Sequence, residues 1–366
     1  MSQDFNTLRV SKIVSETDEA KSIYFEVPEQ LKEAYEFKAG QYLTLKFNID
    51  GNEVRRAYSI CVSPLEGSLL GVNVKRVKKG LVSNYVNDQL KEGQEVEVMT
   101  PDGKFGIDLR DDYHRDFYFF TAGSGITPVI SMIKTILEEE PKSRCHLCYG
   151  NRNEGSIIFK NEFDKLSEKY KGQFTLTHTL SKPNREKAGG LKGMFSKGKI
   201  RWQGWQGRID GTMIDKFLEE NPKQGKETHY FVCGPGAMID TIIDHLEGKG
   251  IGSDRLHSEH FSAAVAPSMA IDSGVASKVK VTLNGTTHEI QVPSDKTILD
   301  VLIDEKIDAP YSCTSGACST CMGKKISGEI TMDACYALDD SEVEEGYILV
   351  CQCRAVSPEV EITFDT

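Results

Sequence analysis

Four cysteines near the end of this 366-residue chain constrain its fold more than any other feature. Cys313, Cys318 and Cys321 follow one another with the spacing C-x4-C-x2-C, and Cys351 comes after 29 intervening residues. Six of the ten cysteines lie within the last 54 residues. Such clustering is typical of a metal centre rather than of a disulfide framework. We therefore expect a tight loop to supply three thiolates and a distant strand to supply the fourth.

The spacing is that of a plant-type [2Fe–2S] centre. Small residues around Gly316 would let backbone N–H groups approach the sulfides. Zinc sites usually contain two paired C-x2-C halves, whereas this region has one such pair, so zinc or free thiols are the alternatives. We predict that Cys313, Cys318, Cys321 and Cys351 bind a [2Fe–2S] cluster. The remaining two cysteines of this region, Cys335 and Cys353, are predicted to be buried thiols.

The chain is long enough for two further domains before this centre. Short strands with alternating polarity, separated by Gly and Asn/Asp turns, predict an antiparallel β-barrel over residues 1–110. Alternating strands and helices predict an α/β domain with a parallel sheet over residues 111–261. Small residues and a lone proline indicate a linker over 262–277, and residues 278–366 are predicted to form an α+β domain around the cysteines.

The barrel carries Arg56-Ala57-Tyr58-Ser59 at the end of a predicted strand, and a turn at residues 80–83 about 20 residues later. A flavin needs an aromatic ring against its own, a nearby donor, and cations or helix-terminal N–H groups for its phosphates. Arg56, Tyr58, Ser59 and the turn supply these groups. The two motifs together with residues 101–106 predict a flavin site; the alternative for Arg56 and Tyr58 is an exposed pair on a strand.

A second site is predicted at the start of the α/β domain. Gly123-x-Gly125 lies between the first strand and the first helix, where a pyrophosphate binds in nucleotide-binding folds, and Thr127 is predicted to cap that helix. Cys233-Gly234-Pro235-Gly236 follows a later strand and exposes its backbone at the same edge of the sheet. The two loops predict a nicotinamide nucleotide site.

These motifs, in this order, resemble the ferredoxin–NADP⁺ reductase superfamily with a plant-type ferredoxin domain fused at the C-terminus. Within that group the chain is most similar to the reductase components of phenylacetyl-CoA oxygenase and ketosteroid hydroxylase. The resemblance covers nearly the whole chain. It implies an FAD-binding barrel (FMN being the less favoured flavin), an NAD(P)-binding domain and a ferredoxin domain of the β-grasp type.

The resemblance also implies residue roles. Ser59, Cys233 and Glu259 would act at the site of hydride transfer, with Glu259 belonging to an acid-x-Phe stretch that ends at Phe261. The residues expected to bind FAD or the nucleotide are Arg56, Ala57, Tyr58, Ser59, Lys75, Val77, Gly80, Val82, Ser83, Gly123, Gly125, Thr127, Ser181, Lys182, Arg185, Cys233, Gly234, Pro235 and Phe261.

The choice of nucleotide depends on the residues after a later strand. Ser181, Lys182 and Arg185 stand where an adenosine ribose would lie, with no acid before Glu186. Cations favour the 2′-phosphate of NADPH and an acid favours NADH, so NADPH is the favoured donor and NADH stays open. Residues 187–206 form an insertion relative to the family, expected to be a solvated basic loop or an element that docks a partner or covers the nucleotide.

We therefore expect an NAD(P)H-dependent reductase that passes electrons through a flavin and a [2Fe–2S] cluster to a partner oxygenase. The alternatives are another acceptor (a desaturase, a cytochrome or a ferredoxin) and a redox-sensing binding module. The net charge of −11 argues against nucleic acid as a partner. Residues 277–366 carry 7 basic and 16 acidic residues, which could steer this module to a basic face or simply solubilise it. No signal peptide or membrane-spanning segment is recognisable, so a cytoplasmic location is expected.

Overall fold

The computed structural model describes residues 5–67, 69–186, 198–261 and 274–366. Its strands are β1 (Phe5–Thr17), β2 (Ala20–Glu26), β3 (Tyr42–Ile49), β4 (Asn52–Ser59), β5 (Leu70–Lys75), β6 (Glu95–Met99), β7 (Arg115–Ala122), β8 (Arg144–Asn151), β9 (Phe174–Leu180), β10 (Arg185–Glu186), β11 (Lys199–Ile200), β12 (Trp205–Gln206), β13 (Glu227–Gly234), β14 (Leu256–His260), β15 (Ser277–Leu283), β16 (Thr286–Val292), β17 (Met322–Ser327), β18 (Ile330–Met332), β19 (Tyr347–Leu349), β20 (Cys353–Ala355) and β21 (Glu359–Thr363). Its α-helices are α1 (Leu81–Asp88), α2 (Ile126–Glu139), α3 (Lys160–Lys169), α4 (Gly211–Glu220), α5 (Gly236–Gly248), α6 (Ile298–Asp304) and α7 (Asp340–Glu344). Within these ranges we find no helix with the length and apolarity needed to cross a lipid bilayer.

The first unit is an antiparallel sheet of six strands in the order β4-β3-β6-β1-β2-β5. A bridge between Ile60 and Val72 joins the two outer strands, so the sheet closes on itself as a small barrel. Alternate residues of its strands, such as Leu43 and Leu45, are fully buried inside it. Helix α1 packs against β5. The predicted antiparallel barrel is therefore confirmed, whereas α1 was not predicted.

The second unit is a parallel sheet of six strands in the order β12-β9-β8-β7-β13-β14. Its central strand β7 is buried on both faces, which is why the run 117–120 consists only of aromatic residues. The predicted α/β arrangement is confirmed. Two of its strands were not predicted: β14, whose sequence Leu-His-Ser-Glu-His shows no apolar pattern, and β12, which lies in the insertion and pairs with β9.

The third unit is a mixed five-stranded sheet, β16-β15-β21-β17-β19, with α6 packed across it and a small sheet of β18 and β20 beside it. It forms the predicted α+β domain. Cys351 lies in a 3₁₀ turn between β19 and β20, so the expectation that a strand would supply the fourth thiolate was wrong. The turn places Cys351 within hydrogen-bonding reach of Cys313 and Cys321.

Two further expectations need correction or restriction. Thr127 does not cap α2: the helix begins at Ile126, and the Thr127 hydroxyl donates to the Ser124 carbonyl within the first turn (2.9 Å). The described part of the insertion is not merely a solvated loop, since Trp202 packs against the core of the α/β unit. Insertion residues 187–197 and linker residues 262–273 lie outside the described residues. The proposed linker's last residues, 274–277, already contact the third unit, where Val275 N–H donates to Ala355 O (2.9 Å).

Candidate active site

The three units meet around a cavity of about 440 Å³. The residues that line it are Tyr42, Arg56, Ala57, Tyr58, Ser59, Asn73, Lys75, Val77, Gly80, Leu81, Val82, Ser83, Ser124, Thr127, Glu259, His260, Phe261, Cys313, Ser315, Ala317 and Cys318. Twelve of the residues expected from the sequence to bind FAD or the nucleotide, or to act in catalysis, are in this set. Two of the predicted cluster ligands, Cys313 and Cys318, line the same cavity.

The barrel wall of the cavity presents the end of β4. Tyr58 is half-buried there and its pKa is raised by burial, so its phenol stays neutral and its ring can pack against a planar ligand. Asn73 of β5 is 3% exposed; it donates to Ser22 Oγ (3.0 Å), and its Oδ1 is left without a partner. A buried acceptor without a donor is costly, and a ring N–H such as that of a flavin would satisfy it. The donor set of this wall therefore fits a flavin.

The start of α1 forms another part of the wall. Gly80 is the residue before the helix, and Ser83 Oγ accepts from Val77 N–H (3.1 Å) while donating to Gly80 O (3.4 Å). A Cβ at Gly80 would lie 2.5 Å from Ser83 Oγ, so this tight turn needs glycine. Free N–H groups at a helix start favour a phosphate. Lys75 also lines the cavity, and burial lowers its pKa.

A carboxyl group stands opposite the end of β4. The Ser59 hydroxyl donates to Glu259 Oε2 (3.3 Å), and Glu259 is paired in register with Cys233 on the neighbouring strand. Glu259 is partly exposed to the cavity, but its carboxyl group is surrounded by protein. This burial raises the pKa of Glu259 to about 8, and the hydrogen bond from Ser59 lowers it by a smaller amount. Burial, and then the nearby Glu259, raise the pKa of the Cys233 thiol well above its usual value.

We expect Glu259→Gln to remove a pH dependence of stability. Because the folded-state pKa lies above the unfolded one, the folded protein binds one more proton between pH 4.5 and about 8. The stabilisation is complete below the unfolded pKa and is lost as the pH rises through the folded pKa, by at most about 1.4 kcal/mol per pH unit. Denaturant unfolding at several pH values should show a wild-type free energy of unfolding that falls over this window relative to the variant.

The matched control is Glu168→Gln, an exposed carboxyl group on α3. This substitution should leave the slope of stability against pH as it is in the wild type. A Glu259→Gln variant with the same slope as the wild type would show that the buried carboxyl group titrates normally.

The nucleotide loops approach each other closely at the edge of the cavity. A Cβ at Gly125 would lie 2.1 Å from the Cys233 carbonyl oxygen, so the loop before α2 touches the backbone at the end of β13. The Thr121 hydroxyl donates to the same oxygen (2.8 Å). Gly123, at φ +58°, is the other glycine of this turn. Gly234 and Pro235 continue from Cys233 to the start of α5, adjacent to the cavity but outside its lining.

The four predicted cluster ligands come together in the third unit. The pKa of Cys313 is lowered by hydrogen bonds with Cys318 and then Cys351, and that of Cys351 is raised by hydrogen bonds with Cys313 and Cys321. Hydrogen-bonding contacts therefore link Cys313 to Cys318 and Cys351, and Cys351 to Cys321. In the described part of the chain, no group of three His, Cys, Asp or Glu side chains has the geometry of a single-ion site.

The loop around these thiols has the features that a cluster requires. Ser315 N–H donates to Cys313 Sγ (3.4 Å) and Gln352 Nε2 to Cys351 Sγ (3.6 Å). Gly316 has φ +71°, and a Cβ there would meet Ala334 O at 2.7 Å. Donors to sulfur and close backbone packing fit a set of thiolate ligands. Cys353 is fully buried and its thiol donates to Leu349 O (3.2 Å), away from this set.

Three predicted nucleotide residues lie apart from the cavity. Ser181, Lys182 and Arg185 are exposed after β9, at the edge of the parallel sheet. Arg185 pairs with the described part of the insertion through β10 and β11. Glu186, the acid of this segment, forms an ion pair with Arg201 (2.6 Å).

Sequence reasoning missed several lining residues. Asn73 offered one signal, a polar residue within an otherwise apolar strand. Tyr42, Ser124 and His260 offered none, because tertiary contacts alone bring them to the cavity. His260 stacks on Tyr336 of the third unit, with ring centroids 4.4 Å apart.

Comparison with family models divides the chain in the same way. Residues 7–107 match the oxidoreductase FAD-binding domain, residues 119–244 the oxidoreductase NAD-binding domain, and residues 281–356 the 2Fe-2S iron-sulfur cluster binding domain. The last match decides against zinc or free thiols as the interpretation of the cysteine spacing.

Whole-length relatives have the same organisation. The chain is 35% identical to a component of the 1,2-phenylacetyl-CoA epoxidase of Escherichia coli, over 99% of this chain and 98% of that protein. It is 33% identical to the ferredoxin reductase component of 3-ketosteroid-9-alpha-monooxygenase from Rhodococcus rhodochrous, over 98% of this chain and 96% of that protein. The solved structure of phthalate dioxygenase reductase, described as a modular structure for electron transfer from pyridine nucleotides to [2Fe-2S], superposes with a TM-score of 0.60 at 26% identity, and the match covers 98% of both chains. The chain therefore belongs to the ferredoxin–NADP⁺ reductase family whose members carry a [2Fe–2S] domain.

Proposed function

We propose that this protein takes electrons from NADPH and delivers them, one at a time, to a partner oxygenase. The observation that supports it best is the shared cavity: the loop with Cys313 and Cys318 lines the same space as Arg56, Tyr58 and Ser59. When bound, the flavin accepts a hydride and releases single electrons, which the cluster carries. One chain thus brings the two electron carriers next to each other.

The chain's own residues position these groups and control protons. Tyr58 and Asn73 would hold the ring of the flavin, while Gly80 and Ser83 at the start of α1 would hold its pyrophosphate. Glu259, neutral at pH 7 because burial raises its pKa to about 8, keeps a proton next to the Ser59 hydroxyl. A neutral carboxyl group in this place could give its proton to the flavin edge, and the Ser59 hydroxyl would then donate to the carboxylate that remains.

The proposed donor is NADPH because cations follow β9. Lys182 and Arg185 are exposed there, and the neighbouring acid Glu186 is already engaged by Arg201. A 2′-phosphate would meet positive side chains, whereas the free 2′-hydroxyl of NADH would have to compete with Arg201 to donate a hydrogen bond to the Glu186 carboxylate.

Arg185→Ala is therefore expected to weaken NADPH binding about tenfold, the cost of losing one charge-assisted hydrogen bond. NADH binding should stay within about twofold, because the adenosine ribose without its phosphate does not use this cation. Titration calorimetry with both nucleotides measures the two affinities. Lys171→Ala, an exposed cation at the opposite end of β9, is the matched control. Equal losses for both nucleotides would contradict the assignment of the 2′-phosphate site.

The proposed acceptor is an oxygenase of the kind served by the relatives, such as an epoxidase acting on phenylacetyl-CoA. The acidic third unit, with 16 acidic and 7 basic residues over 277–366, would be steered to a basic face of this partner. A cytoplasmic location agrees with ten free cysteines, since that compartment keeps thiols reduced.

Anaerobic stopped-flow absorbance tests the proposal. The full-length protein is mixed with NADPH and, separately, with NADH. Bleaching of flavin bands followed by cluster bands is the expected result, faster with NADPH. Flavin bleaching without cluster reduction would overturn electron transfer within one chain. Slow cluster reduction together with redox-dependent partner binding would favour a sensor instead.

A further inference from the structure

A chain of hydrogen-bonded side chains connects the barrel to one of the proposed cluster ligands. The Tyr42 hydroxyl lies 2.9 Å from Asp102 Oδ2 and 2.8 Å from Thr320 Oγ1. Thr320 Oγ1 in turn lies 3.5 Å from Cys318 Sγ. Tyr42 and Asp102 belong to the barrel, whereas Thr320 and Cys318 belong to the ferredoxin unit. The chain of contacts therefore crosses the interface between the two units.

These contacts are shielded from water and held in place. Tyr42 is 5% exposed, Thr320 1% and Cys318 5%. Tyr42 and Asp102 exchange two backbone hydrogen bonds (2.8 and 3.1 Å), and Gly103 N–H donates to Asp102 Oδ1 (2.7 Å), which leaves Oδ2 to face the phenol. A hydrogen bond in such an environment is stronger than one at the surface.

The four linked side chains carry too few protons for every contact between them to be a hydrogen bond. A cysteine that binds the cluster is a thiolate, and a carboxylate also only accepts. Tyr42 and Thr320 contribute one hydroxyl proton each, whereas the contacts from Asp102 to Cys318 number three. One contact must therefore lack a proton at any moment.

The distances indicate which contact it is. The oxygen atoms of Asp102 and Tyr42, and those of Tyr42 and Thr320, lie 2.9 and 2.8 Å apart, which requires a proton between each pair, whereas 3.5 Å between Thr320 Oγ1 and the larger sulfur of Cys318 is also the length of a contact without a proton. A carboxylate also accepts a stronger hydrogen bond than a neutral group does. Tyr42 then donates to Asp102, and Thr320 donates to Tyr42.

We propose that Tyr42 is a positioning residue that holds the Thr320 proton away from Cys318 while the two units are docked. Hydrogen bonds to ligand sulfur stabilise the more negative, reduced form of the centre and raise its reduction potential. Tyr42 thus keeps the potential low, and separation of the two units would release the Thr320 proton to Cys318. The inference rests on the proposed role of Cys318 as a ligand.

Tyr42→Phe tests it, because the variant keeps the ring and removes only the hydroxyl. The released Thr320 hydroxyl should donate to Cys318 and shift the reduction equilibrium of the cluster about three- to tenfold toward the reduced form, or ~30 to ~59 mV for one electron. Spectroelectrochemical titration of the full-length protein measures this shift without turnover.

Two further variants distinguish a positioning role of Tyr42 from a purely structural one. In Thr320→Val, the same Tyr42→Phe change should leave the potential where the single Thr320→Val variant has it, because no proton remains to be released. Thr44→Val removes another hydroxyl bond across the interface, from Thr44 to Ser312 (2.9 Å), and should leave the potential at the wild-type value. A purely structural role for Tyr42 would shift the potential equally with and without Thr320.

The outcomes distinguish this inference from the proposed function. Iron content and visible absorbance of the wild type come first, and a protein without a [2Fe–2S] spectrum would overturn the proposed function itself. A normal spectrum with an unchanged or lower potential in Tyr42→Phe would overturn the inference alone. An equal shift in the Thr320→Val background would overturn it as well.

Discussion

Cys313→Ser is expected to lower NADPH-driven reduction of the partner oxygenase by more than about 100-fold, since the loss of a ligand should cost more than the 10–100-fold typical of its supporting residues. Reduction of an artificial acceptor that draws electrons from the flavin should remain close to that of the wild type. The physical reason is modular: Cys313 lies in the ferredoxin unit, and the flavin wall is built from β4, β5 and α1 of the barrel.

The two activities are measured on the same preparation, with flavin and iron content determined beforehand. Cys335→Ser is the matched control, a half-buried thiol of the same unit that falls outside the ligand spacing. It should keep both activities. Loss of the flavin-linked activity in Cys313→Ser, with flavin still bound, would contradict the separation of the two sites.

Gly125→Ala is expected to slow hydride transfer from NADPH by about 100-fold, the order of loss that a displacement of about 1 Å causes in a reacting pair. The added Cβ would lie 2.1 Å from the Cys233 carbonyl oxygen and 2.5 Å from its carbon. The end of β13 or the loop before α2 must therefore move. The free energy of unfolding should also fall by about 1–3 kcal/mol, as for an overpacked core.

Flavin bleaching in the stopped-flow instrument and denaturant unfolding measure these two effects. Gly248→Ala at the end of α5 is the control, because its Cβ would meet no heavy atom within 4 Å. Wild-type rates in Gly125→Ala would mean that the two loops are not in contact when the nucleotide binds.

Local patterns in the sequence were sufficient for most of the architecture. The apolar run around Phe117 predicts a buried parallel strand, and β7 is that strand, extended by two residues at its start and one at its end. The cysteine spacing predicts an iron–sulfur domain, which the family match at residues 281–356 confirms. The individual ligands and flavin contacts remain predictions, and Cys313→Ser tests one of the ligands.

Such local patterns did not predict the short or polar elements. Helix α1 spans eight residues, of which Val82, Ser83, Val86 and Asn87 are buried, so its inward face is half polar. Strand β14 carries Glu259 in a segment rich in histidine, and it is held as a strand because β13 offers it a parallel edge. In both, the partner that stabilises the element is distant in sequence.

The sequence by itself determined the three units, their order and the chemistry of their cofactors, because motif spacing and hydrophobic periodicity are local properties of the chain. Only the tertiary structure decided that Tyr42 touches Thr320, that Asn73 faces the flavin cavity and that Glu259 is buried beside Ser59. Those contacts join residues up to 278 positions apart. They depend on how three separately folded surfaces fit together, and no local pattern encodes that fit.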